Sequence, residues 1–154
     1  MATTRSLAGA LLLVLTWATA SAAQSRPVPF TRTGTSIVVD VIVGGKTRHF
    51  LLDTGAGMTV LSVDAAGWSL ADLRKGVLRR SAVGIDGSSH AMGKSTATLE
   101  IAHKLIVTPV GVTDLGPLSK ALNVKLDGIL GQDVLSQFGS VTVDYKNRQL
   151  VFEM

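Results

Sequence analysis

Short runs of β-branched and apolar residues, separated by turn-forming residues, recur along the chain from residue 36 onward. Residues 36–43 and 47–52 are two such runs, and they flank Gly44-Gly45, a pair typical of a two-residue β-hairpin turn. The other predicted strands have similar composition and length: 58–61, 77–85, 92–102, 105–112, 141–145 and 149–152. Regularly spaced short strands of this kind predict an all-β barrel or sandwich.

Two short helices and one irregular segment complete the predicted secondary structure. Ser62 is suited to cap a short helix through Ala66, because its hydroxyl can accept a hydrogen bond from an N–H of the first turn. A second short helix is predicted over 132–138, after a loop at 113–125 in which Pro117 stops regular structure. Residues 24–35 are predicted to be a leader or an edge segment, since two prolines exclude a central strand there.

The first 23 residues are predicted to be a secretory signal peptide that precedes the folded domain at 36–154. Arg5 precedes an apolar stretch at 7–15, and the small residues after it fit cleavage behind Ala20 or Ala23. A retained membrane anchor is the alternative, but the apolar stretch is short for a span of about 20 residues. We therefore expect a secreted or periplasmic protein with no stable membrane span once the signal is cleaved.

The composition indicates one globular domain and excludes several classes of protein. The chain has 154 residues, 46% of them hydrophobic and 17% charged, and it contains no cysteine. Disulfide staples, zinc fingers and thiol nucleophiles are therefore excluded. The net charge of +4 comes from scattered basic residues, with only 5% aromatics, whereas a nucleic-acid surface usually combines a basic stripe with stacking aromatics. We expect no nucleic-acid partner, and the residue spacing implies neither a metal nor an organic cofactor.

One aspartate lies at a position where a carboxylate is costly. Asp53 directly follows the apolar run 50–52, at the end of a predicted buried strand, and a carboxylate there must be hydrogen-bonded or share a proton. Thr54 offers a hydroxyl that can hold the loop, and Gly55 lets backbone amides approach the carboxylate closely. The alternative is a β-turn in which Asp53 only bonds its own backbone. The pattern makes Asp53 a candidate functional residue.

A second element strengthens this interpretation. Residues 127–135 place an apolar pair between glycines, directly before the second predicted helix. With the apolar-apolar-Asp-Thr-Gly-Ala signature at 51–56 and the Ile-Leu-Gly element at 129–131, residues 35–153 resemble the retropepsin-like aspartic proteases, in particular their single-domain bacterial relatives. The resemblance implies a closed or partly open β-barrel of the acid-protease type with one or two short helices. It also implies an aspartic endopeptidase that acts on peptides or proteins.

The resemblance assigns roles to individual residues. Asp53 matches the catalytic aspartate, and Thr54 matches the residue whose hydroxyl braces two active-site loops against each other. Gly55 supports the same loop, and with Ala56 it matches the backbone wall that binds the main chain of the substrate. The hairpin at 83–93 matches the flap that closes over the peptide. Further apolar or flap positions are expected to contact substrate: Ile85, Gly87, Ile129 and Leu130.

The family chemistry needs two facing carboxylates, and this chain has one Asp-Thr-Gly. The resemblance therefore implies a homodimer, with Asp53 of each subunit on the two-fold axis. Two alternatives remain at this point. One is a non-catalytic barrel of the same fold that binds or tethers a partner, since fold does not guarantee function. The other is an unrelated exported all-β module in which both motifs are accidental.

Overall fold

The structure of the protein, a computed structural model, describes residues 25–75, 82–83, 89–90 and 92–154. The predicted signal peptide, Ile85 and Gly87 lie outside the described residues. The described part of the chain forms eleven strands and three short helices. In chain order these are β1 (Ser25–Thr33), β2 (Ser36–Val43), β3 (Lys46–Leu52), β4 (Val60–Ser62), α1 (Leu70–Lys75), β5 (Ala82–Val83), β6 (Ser89–His90), β7 (Gly93–Ile101), β8 (Lys104–Thr113), α2 (Gly116–Leu122), β9 (Gly128–Leu130), α3 (Gln132–Leu135), β10 (Ser140–Asp144) and β11 (Gln149–Glu153).

Six of these strands form a closed barrel. Their order is β2-β3-β9-β4-β8-β7, and a pairing between β7 and β2 closes the ring. Three more strands extend the sheet beyond β2 in the order β1, β11 and β10. Two of the pairings are parallel, β3 with β9 and β4 with β8. The predicted all-β fold with a closed barrel and a few short helices is confirmed.

The alternation of side chains along the strands builds two layers of packing. The most deeply buried side chains fill the barrel: Val39, Val41, Phe50, Leu99, Ile106, Val110, Leu130, Leu150 and Phe152. Val38 points the other way along β2 and packs with Leu115 and Leu126 in a second cluster, to which α2 also contributes. Each side chain buried in this way contributes about 1.5–3 kcal/mol relative to an exposed one. The first half of β2 is therefore apolar on both faces because both are covered there, whereas Asp40, farther along the face of Val38, is exposed.

The hairpin between β2 and β3 follows the sequence prediction closely. Its two turn residues, Gly44 and Gly45, have φ angles of 57° and 75°. A two-residue turn with both φ angles positive matches the right-handed twist of the flanking strands, and glycine adopts this conformation without steric cost. The turn fixes the register in which Val39 pairs with Phe50, and so it determines where β3 ends.

Strand β1 occupies the segment predicted to be a leader or an edge. Its first half, with Pro27 and Pro29, pairs with β11, and its second half pairs with β2. The N–H of Phe30 donates to the carbonyl of Arg148, the residue before β11. The backbone nitrogens at the alternate positions 27 and 29 therefore face away from β11, toward a side where no described strand pairs with this half of β1. The prolines therefore remove no ladder bond, as edge positions allow. The segment is a strand of the sheet with one locally open side.

One helix prediction and one loop prediction are wrong, whereas the helix predicted over 132–138 forms as the shorter α3, Gln132–Leu135. No helix forms at 62–66, because the N–H of Val63 donates to the Thr113 carbonyl and continues the β4–β8 pairing, so Ser62 caps only a turn. The predicted loop at 113–125 instead contains α2, with Pro117 in its first turn. A proline is tolerated there because the first N–H groups of a helix have no partner within it.

Helix α1 begins with a capping box that the sequence prediction did not include. The Ser69 hydroxyl accepts a hydrogen bond from the Asp72 N–H at 3.1 Å. The Asp72 carboxylate accepts bonds from the Ser69 N–H at 2.9 Å and from its hydroxyl at 2.6 Å. These bonds hold the pKa of Asp72 below its usual value of 3.8, the side-chain bond contributing most. The pattern Ser69-Leu70-Ala71-Asp72 carries this signal in the sequence.

The described part of the predicted flap is a short antiparallel pairing of β5 with β6, in which Ala82 pairs with His90 and Val83 with Ser89. Strands were predicted over 77–85 and 92–102 but not over 89–90, so β6 was missed. Among the described residues, the structure shows no helix with the length and apolar character needed to cross a membrane.

Candidate active site

Two loops meet at one edge of the barrel, where β3 and β9 end and β4 begins. Strands β3 and β4 are consecutive in sequence, but β9 inserts between them. Leu52 pairs with Leu130 on one side of β9, and Val60 pairs with Ile129 on the other. The loop 53–59, which we call the aspartate loop, must therefore cross the end of β9, and it meets residues 131–133 there.

Asp53 begins the aspartate loop and is half-buried. Its N–H donates to the Leu130 carbonyl at 3.1 Å, which extends the β3–β9 pairing to the catalytic candidate itself. Its Oδ1 accepts hydrogen bonds from the N–H of Gly55 at 2.9 Å and of Ala56 at 3.2 Å. No described residue donates to Oδ2. Asp53 thus makes the local turn bonds that the alternative explanation required, and it retains one oxygen for chemistry.

Gly55 and Thr54 are both exposed beside this carboxylate. A Cβ on Gly55 would lie 3.3 Å from Asp53 Oδ1, so a side chain there would crowd the carboxylate. The Thr54 carbonyl accepts a bond from Gln132 Nε2 at 3.0 Å. The Thr54 hydroxyl makes no bond to a described residue, so it is available to a group outside this part of the chain.

Ala56 is held through both its backbone N–H and its backbone carbonyl. Its N–H donates to Asp53, and its carbonyl accepts the Gln132 N–H at 2.8 Å. Both backbone groups of Ala56 are therefore used inside the chain. A substrate would meet Ala56 through its half-exposed surface, and its predicted role in substrate binding stays a prediction.

Gly131 marks the closest approach of the two loops. A Cβ at this position would lie 2.7 Å from the Met58 carbonyl carbon and 2.9 Å from the Ala56 oxygen. Both are backbone atoms, so the aspartate loop could not remain where it is with any other residue at 131. The glycine that ends the Ile-Leu-Gly element thus lets this segment pass tightly against the aspartate loop.

A partly buried hydrogen-bond network joins the far end of the aspartate loop to α3. Thr59, which is fully buried, donates its N–H and its hydroxyl to Asp133 Oδ1 at 2.9 and 2.7 Å. The same hydroxyl accepts the Gly131 N–H at 3.0 Å. Thr108 of β8 donates to Asp133 Oδ2 at 3.4 Å. Sequence reasoning assigned no role to Thr59 or Asp133; the only signal was a threonine inside an otherwise apolar strand start.

The two apolar residues of β9 differ in environment. Leu130 is fully buried in the barrel core. Its predicted contact with substrate is therefore wrong, because adjacent strand residues point to opposite faces and Leu130 points into the barrel. Ile129 is half-buried beside Leu51 in the cluster under α2. Its predicted substrate contact remains a prediction.

The start of β9 is fixed by Asp127, which sequence reasoning also left without a role. Its Oδ2 accepts the His49 N–H at 3.1 Å, and its Oδ1 lies 3.4 Å from Arg48 Nη1. Its side chain is only 6% exposed. Buried carboxylates need such partners to offset lost hydration. Asp127 lies at the opposite end of β9 from Asp53, so it anchors the strand and does not pair with the catalytic candidate.

No group of three His, Asp or Glu side chains is arranged as metal ligands within the described ranges.

Comparisons with known proteins are consistent with this carboxylate site. The family model described as aspartyl protease matches residues 39–134, which include the aspartate loop and residues 127–133. No curated protein sequence matches the chain.

Solved structures share the fold. A retropepsin-like aspartic protease from Rickettsia conorii superposes with a TM-score of 0.57 at 18% identity, covering 85% of this chain and 91% of that one. EIAV protease in complex with the inhibitor HBY-793 gives a TM-score of 0.48 at 20% identity, over 74% and 98% of the two chains. The retroviral protease-like domain of Ddi1 from Leishmania major gives 0.46 at 16% identity, over 77% and 94%.

The family model covers well over half of the chain and includes every residue that holds the aspartate loop in place. The first of these structures shows the same barrel fold. Together with one half-buried Asp-Thr-Gly aspartate at the edge of that barrel, the family match gives the site its chemistry. The chain belongs to the aspartyl protease family and is a retropepsin-like aspartic endopeptidase.

Proposed function

We propose that the protein works as a homodimer in which Asp53 of each subunit faces its counterpart across a two-fold axis. The observation that carries this proposal is the aspartate loop. It presents one carboxylate per chain, with Oδ1 held by two backbone N–H groups and Oδ2 without a bond to a described residue. A water-activating site needs a second carboxyl group, and another copy of the chain supplies it.

The proposed mechanism follows from the proximity of two like charges. Carboxylates about 3 Å apart cannot both ionise, so the pair shares one proton and binds a water between them. The charged Asp53 takes a proton from the water, whose oxygen attacks the carbonyl carbon of the peptide bond. The protonated Asp53 polarises the carbonyl oxygen. A proton then passes to the leaving nitrogen as the C–N bond breaks.

The substrate in this proposal is an extended peptide lying across the aspartate loop. Gly55 is exposed and Ala56 half-exposed beside the carboxylate, where a peptide main chain can approach without a side chain in the way. In this proposal the hairpin of β5 and β6 closes over the peptide. Ile85 and Gly87, which are predicted to contact substrate, lie between these two strands in the sequence. Ile129 contributes an apolar contact beside Leu51. Apolar peptide side chains fit these surroundings best.

We further propose that the partner subunit covers the open edge of β10. Within the part of the chain that the structure describes, this strand ends the sheet and pairs only with β11. An unpaired strand edge is a template for pairing with another chain. A concavity of about 300 Å³ lies between β10 and the active-site loops. Its lining includes Val141, Val143, Leu52 and Thr54. A copy seated there contacts the exposed Thr54 and so comes next to Asp53.

The activity test compares the protein with its Asp53→Ala variant on a mixed peptide library between acidic and neutral pH. We expect cleavage by the first and not by the second, and inhibition by a statine-type mimic of the tetrahedral intermediate. A folded protein that binds peptides and cleaves none at any pH would contradict the proposal. That result would favour a non-catalytic binding barrel.

The two-subunit site is tested by mixing. An equal amount of Asp53→Asn protein, refolded together with a fixed amount of the unaltered protein, should lower its activity to about half if pairing is random. The reason is that mixed dimers hold a single ionisable Asp53. Activity that does not change on mixing, or an active species that elutes as a monomer, would contradict the dimer.

The proposed interface is tested with two lysines on one strand. Val141→Lys introduces a charge into the concavity beside Leu52, and we expect it to weaken dimer formation and to lower activity at dilute concentration. Thr142→Lys is the control, because Thr142 is exposed and its side chain points to the other face of β10. Equal dimerisation of both variants, at similar melting temperatures, would place the interface elsewhere.

We also propose that residues 1–23 direct export and are then removed. The support is the apolar stretch at 7–15 followed by small residues. The mass of the protein recovered from the cell envelope or medium should correspond to cleavage after Ala20 or Ala23. An intact N-terminus in a membrane fraction would instead indicate a retained anchor.

A further inference from the structure

The Asp133 carboxylate is the point where three separate parts of the chain meet. It lies in the first turn of α3. It accepts the N–H and the hydroxyl of Thr59 from the aspartate loop, and the hydroxyl of Thr108 from β8. Thr59 is 0% exposed and Thr108 is 5% exposed. Both donors of Thr59 therefore rely on Asp133 for their acceptor, and a buried donor without an acceptor is costly. The Thr108 hydroxyl depends on Asp133 less, because it also lies 3.4 Å from the Pro109 carbonyl.

The Thr59 hydroxyl passes this constraint on to the neighbouring loop. A hydroxyl has one proton to donate, and here it goes to Asp133 at 2.7 Å. The oxygen lone pair that remains accepts the Gly131 N–H at 3.0 Å. The direction of the Thr59 side chain, and with it the Gly131 backbone, is therefore set by Asp133.

Residues 130–132 in turn hold the catalytic end of the aspartate loop. The Leu130 carbonyl accepts the Asp53 N–H, and the Gln132 N–H donates to the Ala56 carbonyl. Gln132 Nε2 donates to the Thr54 carbonyl. Residues 130–133 thus form hydrogen bonds to both ends of the aspartate loop. The close contact between Gly131 and the backbone of Ala56 and Met58 also restricts the position of the loop.

We propose that Asp133 is a positioning residue for Asp53. Acting through Thr59 and Gly131, it holds the aspartate loop in the position in which Oδ2 of Asp53 contacts the water and the carboxyl group of the partner subunit. This inference rests on the proposed function, in which Asp53 is the catalytic group. Asp133 itself touches neither substrate nor Asp53 and acts only through the loop.

Three variants test the proposal in the full-length protein. Asp133→Ala removes the acceptor, and we expect kcat to fall about 10- to 100-fold with KM changed less than about 3-fold, since a displaced catalytic group costs rate more than binding. Asp133→Asn retains a side-chain oxygen for both Thr59 bonds, and we expect kcat within about 3-fold of the unaltered protein. Asp72→Ala is the matched control, because Asp72 also accepts the N–H and hydroxyl of one residue, Ser69, away from the site.

A purely structural role would give a different pattern. In that case Asp133→Ala and Asp72→Ala would both lower the melting temperature and leave kcat per folded molecule unchanged, and the proposal would be overturned. An Asp133→Asn protein no more active than Asp133→Ala would also overturn it. If Asp133→Ala does not fold, Thr59→Val decides: it keeps the side-chain shape and removes the hydroxyl, and a kcat equal to that of the unaltered protein would contradict the proposal.

Amide hydrogen exchange separates this proposal from the proposed function. The N–H groups of Gly55 and Ala56 are bonded to Asp53 Oδ1, and we expect both to exchange at least about 10-fold faster in Asp133→Ala than in Asp72→Ala. The measurement needs no substrate and no dimer. If the unaltered protein cleaves no peptide, the proposed function fails, and unchanged exchange at these two amides would independently show that Asp133 does not fix the loop.

Discussion

Two regions of the molecule use the same hydrogen-bond chemistry for different purposes. At the start of α1, Asp72 accepts the N–H and the hydroxyl of Ser69 at 2.9 and 2.6 Å. At the edge of the barrel, Asp133 accepts the N–H and the hydroxyl of Thr59 at 2.9 and 2.7 Å. The donors, the acceptor and the distances are nearly identical.

The difference lies in what each pair connects. Ser69 and Asp72 are three residues apart on an exposed helix end, so their bonds order only the first turn of α1. Thr59 and Asp133 are 74 residues apart, and their bonds are surrounded by the barrel and by the two loops of the site. A partly buried bond between distant residues holds two segments of the chain together, whereas a local exposed bond orders one turn and competes with water. We infer that the location of a carboxylate, more than its bonds, decides whether it matters for catalysis.

The largest effect in this comparison is expected for Asp53 itself. Asp53→Asn should lower kcat at least about 1,000-fold, because an amide neither takes a proton from water nor shares one with its partner. The amide oxygen can still accept the N–H groups of Gly55 and Ala56, so the melting temperature should change little. Peptide hydrolysis and thermal unfolding measured on the same sample check this. Asp72→Asn is the control, and comparable activity of the two variants would refute the role of Asp53.

The second prediction compares two glycines from the same two regions. Gly131→Ala places a Cβ 2.7 Å from the Met58 backbone, and we expect a loss of about 4 kcal/mol or more in the free energy of unfolding, or no folding. Gly67→Ala, in the turn before α1, meets open space but has a φ of 71°, so about 1–2 kcal/mol is expected. Urea unfolding measures both. Equal losses would mean that the two loops can separate at Gly131 for only about 1–2 kcal/mol, and would contradict the tight fit at this position.

The same contrast explains which parts of the molecule could be predicted from sequence. Local signals were sufficient for the β2–β3 hairpin, whose turn needs glycine at 44 and 45, and for Asp53, which follows an apolar strand end. The capping box at Ser69 and Asp72 was equally readable, since its two residues are three apart. Pro117 was misread as a stop because the first turn of a helix accepts proline as readily as a loop does.

The parts that failed depend on contacts between distant residues. The insertion of β9 between β3 and β4 brings Thr59 to Asp133, and no local pattern in either segment predicts that pairing. Leu130 and Ile129 look alike in sequence, and only the register against Phe50 and Leu52 shows that Leu130 faces the barrel interior. Sequence periodicity gives two faces of a strand but not which face is covered.

The smallest effect is expected for Asp72, the exposed carboxylate of the comparison. It is an effect on melting temperature that depends on pH. Hydrogen bonds from Ser69 hold the pKa of Asp72 below its usual value of 3.8. The ionised carboxylate is therefore more stable in the folded state than in the unfolded state. This contribution to stability is fully present above about pH 3.8 and is lost as the pH falls through the lower pKa of the folded protein. At pH 7, Asp72→Ala should therefore melt about 2 °C below the unaltered protein or less. This gap in melting temperature should close as the pH drops below 3.8. At each pH the two proteins should have the same kcat. Thermal unfolding of both proteins from pH 7 down to the acid limit of folding measures the gap. A gap that stays constant across this range would show that Asp72 stabilises α1 without its charge.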